Sequence, residues 1–272
     1  MEITVADIAK LRKMTGAGMM DCKKALQEAE GDFEKAKDII REKGKLVASK
    51  RADRTATEGV VITKIVEGKA YMVCLACETD FVAKNSEFSA TANTILETAV
   101  ANDAADMEAL LACKVGDVTV NDLITEKSGQ TGEKVELPFY GRIEAPYCVA
   151  YVHTNAKLGT IVGFNKEIDA NVAKDVAMQA TAMAPVSISA ADCPAEVIEK
   201  ERSIGREQAR LDGKPEAMLD KIAEGKVNKF LKENTLLSQA LVKNPKQTVE
   251  QFIQEADKEA TVVAYKRFSL ND

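Results

Sequence analysis

Histidine is nearly missing from this sequence: His153 is the only one among 272 residues. A nucleophile, base and orienter built around imidazole is therefore excluded, because no serine or cysteine stands with His153 in a local catalytic signature. A four-ligand zinc site is equally hard to assemble, since there is no second close cysteine pair to complete one. The phosphate-cradling pattern G-x-x-x-x-G-K-[ST] does not occur. Long apolar runs are lacking too. The longest, residues 70–77, falls far below the ~20 residues that a membrane-spanning helix needs. No Pro/Gly/Ser tract is large enough for a disordered arm, so the chain is expected to fold throughout. The start, Met1-Glu2-Ile3-Thr4, has no basic patch ahead of an apolar core, which predicts a cytoplasmic location. No metal, no cofactor and no membrane contact are expected.

What is present fits a multi-part globular protein. Hydrophobic residues make up 46% and charged residues 29%, and 272 residues are enough for two or three cores. Six cysteines are scattered along a chain without an export signal, so they read as reduced thiols packed as small apolar groups. Cys74 and Cys77 spell C-x-x-C, but in a strand residues three apart point to opposite faces and cannot share a metal. The net charge of −6 argues against a nucleic-acid surface. Residues 1–56 nevertheless carry 13 Lys/Arg against 10 Asp/Glu, about +3, which leaves about −9 for the rest. A small basic head on an acidic body suits a protein partner.

Residues 1–56 read as three short helices and a linker. Thr4 and Asp7 form a capping pattern, followed by Val5, Ile8, Ala9 and Leu11 as an apolar side. Gly16 and Gly18 stop that helix. Cys22, Ala25, Leu26 and Ala29 form the face of the second, and Gly31-Asp32 ends it and caps the third. Phe33, Ala36, Ile39 and Ile40 face inward, and Gly44 is expected to terminate. Such a head resembles the ubiquitin-associated fold.

Beyond it, two passages share one order. In 58–78, β-branched and apolar residues flank the turn signal Glu67-Gly68-Lys69, which predicts a hairpin, and a helix follows over 86–102. In 141–164 another strand pair (149–153 and 160–164) precedes a helix over 170–183. The repeat predicts two related α+β subdomains with antiparallel sheets, 57–140 and 141–272. Inside the second, 195–212 and 215–234 read as a projecting helical hairpin about 195–234. Val197, Ile204 and Leu211 recur every seven residues, opposite Met218, Ile222 and Gly225. Residues 261–270 read as a strand returning to the sheet. The fold class is thus α+β.

Two strings then carry a resemblance. Leu11-Arg12-Lys13-Met14-Thr15-Gly16-Ala17-Gly18-Met19-Met20-Asp21-Cys22-Lys23-Lys24-Ala25-Leu26 resembles the N-terminal signature of the elongation factor Ts family, and Thr79-Asp80-Phe81-Val82-Ala83-Lys84-Asn85 resembles its second signature. The likeness extends through Tyr151-x-His153, the helical hairpin and Arg267-Phe268. It implies a non-enzymatic guanine-nucleotide exchange factor for the GTPase elongation factor Tu. Partner-binding positions are implied at Leu11, Arg12, Met19, Met20, Thr79, Asp80, Phe81, Val82, Ala83, Asn85, Gly132 and His153. The resemblance further implies that Phe81 wedges between helices of the GTPase and disturbs its magnesium ion. Family members with a longer C-terminus carry a further helical module, a contact expected to be missing where this sequence stops at Asp272.

The residues themselves leave alternatives. Met19 and Met20 follow a glycine exit and can stand exposed, or one of them packs in the head core. Phe81, on a connecting loop between charged neighbours, is an anchor or a cap on its own subdomain. His153 on a strand rests on resemblance alone. The hairpin faces the GTPase, a second copy of the chain through self-association, or solvent. An adaptor of the ubiquitin-associated type is suggested by the head but not by the body, and a carboxylate-based hydrolase or transferase lacks its constellation.

Overall fold

The computed structural model describes residues 3–271; Met1, Glu2 and Asp272, at the outer bounds of the expected head and last subdomain, lie outside the described residues. The hydroxyl of Thr4 accepts from the Asp7 amide while the Asp7 carboxylate accepts from the Thr4 amide, and this box starts helix α1 (Val5–Thr15). Gly16, at φ 66°, ends it in the left-handed region that glycine enters without a Cβ penalty. Helix α2 (Met19–Glu28) follows, and the Asp32 carboxylate caps α3 (Phe33–Lys50). Ile8, Leu11, Cys22, Ala25, Leu26 and Ala36 form the small core these helices share. Val5, expected on the apolar side, is instead exposed at the first position of α1, before that packing begins.

Gly44 does not end the third helix. α3 continues to Lys50, and Gly44 is buried where the helix crosses α7 (Val120–Thr131) of the body. A glycine inside a helical pattern has two readings, a stop or a close approach, and only the packing partner decides between them.

The body holds two copies of one plan. In the first, β1 (Glu58–Val66) and β2 (Lys69–Cys77) form the expected hairpin, with Glu58 opposite Cys77 and Val66 opposite Lys69. The one-turn helix α4 (Asp80–Ala83), then α5 (Ser86–Ala101) and α6 (Met107–Ala112), lead to a short ribbon of β3 (Lys114–Val115) and β4 (Val118–Thr119). Helix α7 follows, and β5 (Glu136–Glu144) returns to β2. In the second copy, β6 (Tyr147–Val152) and β7 (Leu158–Phe164) precede α8 (Ala170–Met183). The hairpin of α9 (Ala195–Leu211) and α10 (Leu219–Asn234) comes next. A ribbon of β8 (Ala240–Leu241) and β9 (Asn244–Thr248), then α11 (Val249–Ala256), lead to β10 (Val262–Ser269), which returns to β7. The sheet orders β1-β2-β5 and β6-β7-β10 correspond strand for strand. Even the ribbons match: α7 and α11 each start from a threonine capping box, at Thr119 and Thr248. A division at 140/141 would fall inside β5.

The two sheets pack face to face, with helices on the outer faces. Along β2, Tyr71, Val73, Leu75 and Cys77 point to α5, while Ala70, Met72 and Cys74 point to the second sheet. This double burial explains the unbroken apolar run of residues 70–77. It also puts Cys74 and Cys77 on opposite faces, and burial pushes both thiols up to about 12. Phe88, Ile95 and Leu96 of α5 complete the first outer core, each burial worth roughly 1.5–3 kcal/mol. Phe139 of β5 stacks on Phe268 of β10 at 4.8 Å between ring centroids, closing the sandwich.

The arms of the helical hairpin pack on each other and on the turn joining them. The seam differs from the seven-residue line. Ile204, Leu211 and Met218 are exposed, and the buried line runs through Gly205 and Ala209 against Leu219, Ala223 and Val227. Small residues let the backbones approach, since a Cβ on Gly205 would stand 3.3 Å from the Ala223 Cα, and that geometry turns the larger side chains outward. At its base the hairpin is fixed by amide bonds from Val186 to Asn234 O, from Leu236 to Ser187 O and from Leu237 to Ile188 O, at 2.8–2.9 Å.

Candidate partner-binding face

The segment that leaves β2 is built to display one ring. Thr79 is the N-cap of α4 and accepts from the Val82 amide at 3.4 Å. Asp80 pairs with Lys84 at 2.6 Å, one turn on, and that cation holds the Asp80 carboxyl below its ordinary range. Val82 and Ala83 pack on the outer core of the first subdomain, and Asn85 caps α5 through the Glu87 amide at 2.8 Å. With these neighbours turned inward or paired, Phe81 projects away and is 84% exposed, the most exposed of the large hydrophobic side chains described. Residues 80–83 form a helical turn where a loop was expected. The Thr79 cap supplies the reason, since it satisfies an amide that a loop would leave to water.

A second segment grips this turn from behind. Gly132, at φ 71°, caps α7 in the left-handed region and swings the chain so that Glu133 faces Thr79. One Glu133 oxygen accepts the amides of Glu78 and Thr79 at 3.1 and 3.0 Å, and the other accepts the Thr79 hydroxyl at 2.6 Å. Glu78 answers by accepting the Lys134 amide at 2.7 Å and, on its two oxygens, a single Arg51 nitrogen, Nη1, at 3.0 and 3.2 Å. That amide, together with the Arg51 guanidinium, holds the Glu78 carboxyl below the usual carboxylate range. Glu133, Glu78 and Arg51 were not among the residues expected from sequence. Only the neighbouring Gly132, implied by the resemblance, pointed toward them.

The head meets the same region from the side. Met19 and Met20, at the start of α2, are 42% and 62% exposed. Neither belongs to the head core. Arg12 is exposed as well, but Leu11 is fully buried between the three helices, which corrects its expected place on the surface. A groove of about 810 Å³ separates the head from α5 and α7, with Arg12 and Met19 on one wall and Glu87, Ala90 and Lys127 on the other. Lys127 is buried, and desolvation lowers its pKa. The head is held on the body by Arg41 to Glu126 at 2.8 Å and by a bond from Gln130 Nε2 to the Thr15 carbonyl.

His153 lies just past the end of β6 and is exposed; it is a turn residue, because its amide bonds the Leu158 carbonyl at 2.8 Å and closes the β6–β7 turn. Its Nδ1 is 3.2 Å from the Tyr151 hydroxyl. This turn is stitched to the start of β1. The Val61 amide donates to the Ala156 carbonyl at 2.6 Å, and Lys157 pairs with Glu58 at 2.5 Å. Since Glu58 stands opposite Cys77, His153 sits at the end of the sheet from which the Phe81 turn departs. The structure thus brings Thr79, Asp80, Phe81, Val82, Ala83, Asn85 and Gly132 into one cluster, with Met19 and His153 on its two flanks.

The fold is a duplicated α+β sandwich with a docked helical head, and it displays an exposed aromatic on a braced turn. A family described as Elongation factor TS matches residues 78–272. Over 272 residues the chain is 49% identical to Elongation factor Ts of Porphyromonas gingivalis, covering 100% of this chain and 99% of that protein. It is 47% identical to Elongation factor Ts of Azobacteroides pseudotrichonymphae over the same length, and 44% identical to that of Christiangramia forsetii over 273 residues, with 99% of each covered. The chain belongs to the elongation factor Ts family of translation elongation factors.

Proposed function

We propose that this protein is a guanine-nucleotide exchange factor that binds elongation factor Tu and accelerates GDP release. The observation that carries the reading is Phe81, 84% exposed on a turn held by Thr79 and Glu133. An isolated aromatic in water contributes nothing to the fold that displays it. Rigidly presented, it is suited to act as an anchor in a partner's pocket.

In this account the head docks through Met19, Met20 and Arg12, and flexible thioethers adapt to the partner's surface. Phe81 enters between helices of the GTPase domain beside the nucleotide, displacing the groups that hold its magnesium ion and phosphates. Gly132 lies beside Phe81 in the same contact, and His153 completes it from the other flank. No bond is made or broken by the factor. Its effect is a coupling free energy: if nucleotide weakens factor binding a thousandfold, the factor weakens nucleotide binding equally, about 4 kcal/mol.

Stopped-flow release of a fluorescent GDP from elongation factor Tu tests this directly. Release should accelerate with factor concentration and saturate. A rate independent of added factor would refute exchange activity, and binding without acceleration would reduce the protein to an adaptor.

A further inference from the structure

We propose that Glu133 is a positioning residue for exchange: it holds the Phe81 turn in the geometry that acts on the nucleotide site. The inference rests on the exchange reading above and assigns a role to a residue that touches no partner in that reading.

Of the groups around the Phe81 turn, Glu133 gathers the most donors. Its carboxylate accepts from two consecutive amides, Glu78 and Thr79, and from the Thr79 hydroxyl. Those amides are the last of the strand side and the cap of α4, so they fix the direction in which the helical turn leaves the sheet. Thr79 in turn fixes the Val82 amide. The chain of bonds from Glu133 to the residue after Phe81 is continuous. A side chain 84% exposed has no packing of its own to orient it, so its direction is set by its backbone alone. Charge-assisted bonds to backbone amides are the strong kind, which suits a brace that must withstand insertion into a partner.

The brace also has an anchor. Gly132 carries no contact that a Cβ would disturb, but its φ of 71° is needed to turn Glu133 back toward Thr79. α7, which ends there, is the helix on which the head rests, through Arg41 to Glu126. Arg51, just past the end of α3, reaches Glu78 from the other side. Head and Phe81 turn are therefore joined by one helix and one ion pair, so docking by the head delivers the ring in a fixed orientation.

The variants are ranked by their chemistry. Glu133→Ala leaves two amides and a hydroxyl without acceptors. Glu133→Gln keeps one oxygen for the amides, and its NH2 can donate to the Thr79 hydroxyl, so it should rescue in part. The maximal GDP-release rate at saturating factor should fall roughly tenfold for Glu133→Ala, the size of one lost charge-assisted hydrogen bond, and less for Glu133→Gln. The half-saturating factor concentration should change little, because the head is untouched.

Non-additivity is the readout that a general structural role would not produce. In a Phe81→Ala background, Glu133→Gln and Glu133→Ala should cause no further slowing. Melting curves confirm that each variant is folded at the assay temperature, and should Glu133→Ala fail to fold, the cycle is completed with Glu133→Gln. A Glu133 variant that exchanges at the wild-type rate while Phe81→Ala is slow overturns the proposal and leaves the exchange reading intact, as does a further loss in the double variant. Wild-type exchange by Phe81→Ala itself overturns the proposal together with the role given to Phe81, while the exchange reading falls only if release is independent of added factor.

Discussion

Gly44 of α3 and Gly129 of α7 meet backbone to backbone: a Cβ on Gly129 would stand 2.4 Å from the Gly44 Cα. A side chain on Gly129 does not fit, whereas a Cβ on Gly44 would make only ordinary contacts from 3.6 Å, so Gly129 sets how closely the head lies against the body. Gly129→Ala should force α3 away, strain the Arg41 to Glu126 pair and lower stability by roughly 1–3 kcal/mol, as overpacking does. Urea denaturation measures this. A midpoint equal to wild type would show that the seam yields without cost.

Met19 and Met20 lie outside the head core, so changing both to Ala should leave the melting temperature within a degree or two while weakening association with elongation factor Tu by ~1–3 kcal/mol, the range of anchor truncations. Titration calorimetry and a melting curve on the same sample separate the two effects. Lost stability with unchanged affinity would return the pair to the core.

Acid should loosen the sandwich at one identifiable place. Asp103, just past the end of α5, accepts from Arg142, Lys69 and Tyr71, and these three hold its carboxyl far below its ordinary 3.8. Its folded pKa lies below its unfolded one, so between the two the unfolded chain binds more protons. The contribution is fully present above about pH 4 and is lost as pH falls through the folded value. Denaturant midpoints from pH 6 down to pH 3 should drop less steeply in Asp103→Asn, which keeps the shape and tolerates the φ of 44° found there. Parallel slopes in mutant and wild type would remove Asp103 from the account.

Much of the fold was legible because its signals are local. Thr4, Gly16 and Asp32 act within three or four residues of where they stand, and the β1–β2 hairpin is spelled by its own turn. Long-range packing was not legible. Gly44 carries the same letter whether it stops a helix or meets Gly129 at a crossing, and the hairpin seam through Gly205 and Ala209 hides among small residues while Ile204 and Leu211 attract notice. The site divides in the same way. The string from Thr79 to Asn85 marked itself through resemblance, but Glu133 lies 54 residues from Thr79 and reaches it only through the fold. Leu11 belonged to the right string and to the wrong surface, because a signature mixes residues that touch a partner with those that hold the helix bearing them.

The central claim is that Phe81 acts on the nucleotide site after docking, and the maximal rate of GDP release with Phe81→Ala at saturating factor tests it most directly. The account predicts a clearly reduced maximal rate with only modest change in the half-saturating concentration. The variant's deficit should shrink when magnesium is chelated beforehand, since the step it impairs has then been made redundant. A folded Phe81→Ala that releases GDP at the wild-type maximal rate, with magnesium present, would contradict it.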